Sequence, residues 1–353
     1  MSIARNLANL IGNINAGGGG VNRNVIINGN MTIAERATSA TGLGGSDPGY
    51  QTLDRFRMNI GGTSAGRFTM AQDSSAPEGF AKSLKLSCTT ADTSIAADEL
   101  LSLQQRIEGQ NLQMFAKGTT SAKPYAVSFY VKGNASATYT CELEDGDNSR
   151  RVAKEFSVTT DWVRVELSFP KDTTGAFDDD NALSLSLNIF LHGGSNFTSG
   201  TFSANTWESI SNTTRLSDSQ TSFFDSTDRT FFITGIQLEV GQNPTEFEHE
   251  PHERTEMKCY RYFYKATTYT LSMANASTTG YTFRQERTQQ HSMPVRMRNS
   301  PTFTAVESIK LLSSGSVTLN GAVDRITIVP SAYAGDLPSD NYWYGGYTAD
   351  AEL

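Results

Sequence analysis

The chain has 353 residues, a formal net charge of −8, 37% hydrophobic residues, 19% charged residues and 30 glycines. A net-negative chain is excluded from sequence-independent binding to nucleic acid or to anionic membranes, both of which need a positive surface. Low charge with abundant Ser, Thr and Gly argues against a helical bundle, and no run approaches the roughly 18 consecutive apolar residues of a membrane span. The expectation is a soluble, unprocessed β-rich protein made in a cytoplasm. Cys88, Cys141 and Cys259 are an odd number without a CxxC pair, so they read as buried free thiols.

In chain order, ARNLANLIGNIN (4–15) is helical in pattern. Ile3, Leu7, Leu10 and Ile14 fall at spacings of four, three and four, the seam of a short coiled coil. Two heptads are marginal alone in water, so this helix is expected to dock on copies of itself or on a partner, with a frayed terminus as the alternative. Gly17 to Gly20 form a flexible linker. From Val25 onward, short alternating runs separated by polar turns predict strands. They are VIING (25–29), LDRFRM (53–58), RFTM (67–70), SLKLSC (83–88), YAVSFYVKG (125–133), TYTCELE (138–144), KEFSVT (154–159), WVRVELSF (162–169), LSLSLNIFL (183–191) and FFITGIQLEV (231–240). In LSLSLNIF, Leu183, Leu185, Leu187 and Ile189 share one face. AADELLSLQQRIEG (96–109) predicts one helical interruption, with Asp98 and Glu99 in its first turn and Gly109 ending it. After Pro251 the composition shifts. MKCYRYFYK (257–265) alternates aromatic and basic residues, and further strands are predicted at 268–274, 302–312, 316–322 and 324–331. The expected class is all-β, a jelly-roll β-sandwich with a short N-terminal helix and a second, smaller C-terminal β-domain. The expected boundaries are 1–23 for anchor and linker, 24–256 for the jelly roll and 257–353 for the small domain.

RNVIINGNMTIAERAT (23–38) resembles the "N-x-I-x-N-G-x-M-x-I-x-x-R" first strand of bacteriophage tail-fibre and related virion proteins that carry a carbohydrate-binding-module-like jelly roll. LDRF (53–56), ELLSLQQRIEGQNL (99–112), KPYAVSFYVKG (123–133) and DWVRVELSFPKDTTGAF (161–177) are similar to later segments of that family, in order. ITGIQLEVGQNPTEFEHEPHERTEMKCYRYFYK (233–265) resembles its final strand and exit, with Glu250 where the family has arginine. The resemblance implies a virion structural protein, tail-fibre-like, assembled in the host cytoplasm and located on the particle surface. The resemblance and the apolar seam of the N-terminal helix together give the expectation of a homotrimer that attaches to other phage tail or capsid proteins through residues 1–16 and presents the jelly roll to host-surface glycan. A purely architectural capsid or tail decoration is the rival reading, and a glycan hydrolase or esterase is a third.

Sugar rings stack on aromatic faces while amides and carboxylates bond their hydroxyls. The glycan-contact candidates are Trp207 and the cluster Tyr342, Trp343, Tyr344 and Tyr347; packing is the alternative role for each. No enzyme motif is present, so no catalytic residue is expected. No cofactor is expected, with a structural calcium as the alternative at oxygen-rich loops holding Asp145, Asp147, Asp178 and Asp180. His249 and His252, flanked by Glu248, Glu250 and Glu253, are the other weak metal candidates.

Overall fold

The computed structural model describes residues 4, 5, 7, 8, 10, 11, 22–45, 47–272, 289–310, 317–330 and 342–353. The chain divides into two compact units, residues 1–255 with Leu353, and residues 256–352.

The first unit is a jelly-roll sandwich of two antiparallel sheets. Its strands are β1 (Ser39–Leu43), β2 (Gly49–Tyr50), β3 (Arg57–Gly61), β4 (Arg67–Asp73), β5 (Ser83–Thr90), β6 (Leu100–Glu108), β7 (Tyr125–Gly133), β8 (Ala137–Asp145), β9 (Arg150–Val158), β10 (Val163–Phe169), β11 (Leu183–Gly193), β12 (Glu208–Ser209) and β13 (Thr230–Val240). One sheet is six-stranded in the order β1-β4-β5-β13-β7-β10, and the other seven-stranded in the order β12-β9-β8-β11-β6-β3-β2. Period-two alternation places Leu185, Leu187 and Ile189 of β11, and Val165, Leu167 and Phe169 of β10, in the core between the sheets. The three cysteines are buried thiols.

Segment 96–109 is not a helix: it is strand β6, paired with β11 on one side and β3 on the other. Leu101, Leu103 and Ile107 enter the core, while Ser102, Gln104 and Arg106 point to the other face. Leu100, Leu103 and Ile107 also satisfy helical spacing, and the two flanking strands decide between the periods. Residues 25–29 form no strand; they lie along β13. Val25 N–H donates to Leu238 O and Ile236 N–H to Gly29 O. The two asparagines of the N-x-I-x-N-G stretch explain its composition. Asn24 Oδ1 accepts from the Ile26 and Leu238 amides, and Asn28 accepts from Ile33 N–H while donating to Ile33 O and Asp54 O. A Cβ on Gly29 would stand 2.1 Å from Ile236 O, so the close approach needs glycine.

The aromatic run 257–265 is split. Helix α1 (His252–Tyr260) takes its first part, and β14 (Phe263–Ser272) begins after a turn. The second unit contains two three-stranded antiparallel sheets, β14-β19-β16 and β15-β18-β17. The new strands are β15 (Gln289–Ser292), β16 (Thr302–Lys310), β17 (Val317–Ala322), β18 (Arg325–Pro330) and β19 (Tyr342–Asp350). Ala266, Met293, Met297, Ile326, Ile328, Tyr347, Ala349 and Ala351 form its core.

At the N-terminus, residues 4, 5, 7, 8, 10 and 11 are helical, with Leu7 and Ile11 exposed and Leu10 half-buried. Ile3, Ile14 and the glycine linker lie outside the described residues. No helix among the described residues is long and apolar enough to cross a membrane.

Candidate functional site

The outward face of the seven-stranded sheet carries a polar strip. Because side chains alternate along each strand, Gln104 of β6, Asn188 of β11 and Glu142 of β8 come into register across three neighbouring strands. They form a chain of hydrogen bonds. Arg57 Nη1 donates to Gln104 Oε1 at 2.7 Å, and Gln104 Nε2 to Asn188 Oδ1 at 2.7 Å. Asn188 Nδ2 then donates to Glu142 Oε1 and Glu144 Oε2, each at 3.0 Å.

The long connection from Gly194 to Thr221 contributes Arg215, whose guanidinium bonds Glu142 and reaches Glu144 Oε2 at 2.5 Å. Burial alone would lower the Arg215 pKa, but the two carboxylates outweigh it and push it up. Arg215 also lies over the Phe190 ring, and Leu216 packs with Leu100, Phe190 and Phe197. Arg151, fully buried, reaches Glu208 Oε1 at 2.5 Å. Glu142 is 0% exposed whereas Glu144 and Glu208 are 26% and 30% exposed. The strip therefore has a closed floor and an accessible carboxylate rim. The i, i+2 spacing of Glu142 and Glu144 on a strand was the sequence signal for it, but Arg215 lies 71 residues from Glu144.

Aromatic rings surface elsewhere. Phe80, Tyr130 and Phe247, all half-buried, and exposed His249 cluster beside the six-stranded sheet, with ring centroids 4.9–5.3 Å apart. Gly235, at φ +65° in a bulge of β13, makes room for them; a Cβ there would stand 2.7 Å from Phe80.

Two of the predicted aromatic contacts, Trp207 and Tyr347, are packed residues. Trp207 is 9% exposed, donates its indole N–H to Pro170 O at 2.8 Å and packs on Tyr125. Tyr347 is 0% exposed in the second unit's core. Neither has a face free for a sugar. Tyr342, Trp343 and Tyr344 belong not to a loop but to β19, the central strand of its sheet, paired on both sides. Their side chains lie outside the described residues.

The metal candidates are also placed. No group of three or more metal-ligating side chains is assembled among the described residues. His249 packs against Phe80 and Phe247, and His252 opens α1. The two acidic loops do meet, since Asp178 N–H donates to Asp147 Oδ2 at 3.0 Å, while Asp180 Oδ1 accepts from Ala182 N–H. Asp145 is committed to Lys117 at 2.6 Å.

A Ser–His–Glu relay exists at one end of the seven-stranded sheet. His192 Nε2 is 3.0 Å from Glu99 Oε2, and Nδ1 is 2.8 Å from Ser222 Oγ. Burial, against the raising influence of Glu99 and Asp92, lowers the His192 pKa. The neutral ring then donates from Nε2 to Glu99 and accepts from the Ser222 hydroxyl. Ser222 Oγ also accepts the Phe224 N–H at 3.0 Å, so the nearby backbone donor serves the turn rather than an oxyanion.

No protein-family model matches the chain, and no curated protein matches it. Among solved structures, it is similar to the family 11 carbohydrate-binding module from Clostridium thermocellum, solved in complex with a β-1,3-1,4-mixed-linked tetrasaccharide. That match has 11% identity and a TM-score of 0.29, and covers 62% of this chain and 99% of that one. The module TmCBM61, solved with β-1,4-galactotriose, matches at 10% identity over 62% of this chain and 99% of its own, TM-score 0.30. The enzymatically active domain of bacteriophage CBA120 tailspike protein 4 matches at 12% identity over 62% of this chain and 21% of its own, TM-score 0.30. The jelly-roll assignment rests on the strand order and the two-sheet core described above.

Proposed function

We propose that this protein is a non-enzymatic glycan-binding protein of a phage particle, tail-fibre-like, whose sugar contacts lie on the polar strip of the seven-stranded sheet. The observation that carries this reading is the accessible carboxylate rim, Glu144 and Glu208 at 26% and 30% exposure, standing over the buried row Gln104–Asn188–Glu142 with Arg215. Their mutual hydrogen bonds hold the side chains in one geometry before a ligand arrives, which reduces the ordering cost of binding. The rim carboxylates, Glu144 and Glu208, are placed to accept sugar hydroxyls. The exposed Leu7 and Ile11, four residues apart on the N-terminal helix, support attachment through that end to copies of the chain or to a tail or capsid protein.

Glycan-array binding by the full-length protein, followed by calorimetry on the best glycan, tests the reading. Glu144→Gln is expected to weaken binding at least tenfold while circular dichroism shows the fold retained. Full-length protein that binds no host-surface glycan would sink the adhesion reading and favour an architectural decoration, to which the saturation of the strip's floor by its own partners also fits. Light scattering on the full chain and on a version lacking residues 1–20 checks the trimer; a monomer in both removes it.

A further inference from the structure

A further fully buried charge lies away from the strip. Lys117 has a fully buried side chain, and its ammonium sits among four oxygens from one loop and a strand end. Nζ lies 2.6 Å from Asp145 Oδ2, 3.2 Å from Asp172 Oδ2, 2.7 Å from Thr174 O and 2.8 Å from Gly175 O. The Phe177 and Trp207 rings lie 5.3 and 5.7 Å away.

An ammonium has three N–H donors, yet four oxygens converge on it, which is the pattern of a cage around a spherical cation. The loops are shaped for that closure. Gly118 (φ +77°) and Gly175 (φ +68°) leave no room for a Cβ, which would stand 2.5 Å from Ala176 N and 2.1 Å from Asn148 Oδ1 respectively. Asn148 Nδ2 holds both oxygens of Asp145, and Arg150 holds both of Asp172. The second observation is Tyr125. It is 0% exposed, its hydroxyl has no hydrogen-bond partner among the described residues, and it lies in the field of Asp172 and Asp145.

We propose that this cage is a hard-cation site whose resident cation is the Lys117 ammonium, and that it takes Ca²⁺ once the lysine side chain is removed. Hard oxygen donors, two of them carboxylates, are the set Ca²⁺ prefers, at about 2.3–2.6 Å. From their positions around Nζ, Asp145 Oδ2 and the two carbonyls must close in by at most about 0.5 Å and Asp172 Oδ2, now at 3.2 Å, by about 0.6–0.9 Å. The space vacated by the lysine stem admits water, and the Tyr125 hydroxyl supplies a further oxygen. Wild-type protein therefore holds its loops without metal.

The test is thermal unfolding of wild-type, Lys117→Ala and Lys117→Ala/Asp172→Asn full-length proteins in chelator and in calcium. Wild-type is expected to melt at the same temperature in both. Lys117→Ala is expected to melt lower in chelator and to recover about 5 °C or more when calcium reaches roughly 100 times its Kd. The double variant is expected to lose that recovery. If Lys117→Ala fails to fold in chelator, refolding in millimolar calcium is the readout, and recovery of the native fold supports the site. A Lys117→Ala protein that is folded and indifferent to calcium, or that stays unfolded with it, overturns the proposal. So does a calcium response that survives in the double variant.

Discussion

Two ionic clusters in the jelly roll each hold a cation between a pair of carboxylates, and they differ in what closes them. Around Lys117, one loop supplies two backbone carbonyls and Asp172, a strand end supplies Asp145, and the lysine and both carboxylates are buried. Around Arg215, the carboxylates come from one strand, an asparagine shares both, and Glu144 remains 26% exposed. A charge that is enclosed can serve only the fold. One with an open edge can also meet a ligand, which is why the adhesive reading is placed on the second cluster.

The largest effect should come from breaking the closed cluster. Lys117→Met keeps the volume and leaves two buried carboxylates with Arg150 as their remaining cation, so unfolding free energy should fall by about 3–5 kcal/mol. Chemical denaturation measures it, and a loss below 1 kcal/mol would mean the cage is wetter than it looks. Asp172 sharpens the point. Burial opposes its ionisation, yet hydrogen bonds from Arg150, from Thr174 N–H and from Lys117 hold its carboxyl below the ordinary value.

Arg215→Met should cost less, about 1–3 kcal/mol, because Glu144 can turn to water and Arg151 still faces Glu142 at 3.8 Å. A cost equal to that of Lys117→Met would erase the distinction between the clusters.

The mildest expected effect is a pH dependence from His192, as buried as Lys117 but neutral. Its folded pKa is depressed, so its contribution is complete above the unfolded value of about 6.5 and is lost as pH falls from there toward the folded pKa. The slope is at most about 1.4 kcal/mol per pH unit. Glu99, Asp92 and Ser222 face the ring, and His192→Gln should flatten the slope between pH 6.5 and 5. An unchanged slope in that variant would assign the acid sensitivity to other groups.

Strands such as β7, β10 and β11 were legible because alternation is local: Leu185, Leu187 and Ile189 declare a buried face within five residues. The N-x-I-x-N-G stretch was legible as a pattern, though not as the pair of asparagine clasps that produce it. Segment 96–109 was misread because its leucines satisfy two periods at once. The packed role of Trp207 and Tyr347 was not legible for a related reason: each is equally suited to stacking on a sugar and to filling a core. The cluster of Phe80, Tyr130, Phe247 and His249 draws on positions from 80 to 249 and had no local signature.

What the amino-acid sequence by itself determined is the β class, the acidic surface, the free thiols and most strand positions, because composition and short periods act over neighbouring residues. Only the tertiary structure decided that β13 lies between β5 and β7, that Lys117 meets Asp145 and Asp172, and that Arg215 meets Glu142. These partners are separated by 28 to more than 100 residues. Pairing over such distances is chosen by the burial of two whole sheet faces at once and by the need to neutralise each charge buried with them.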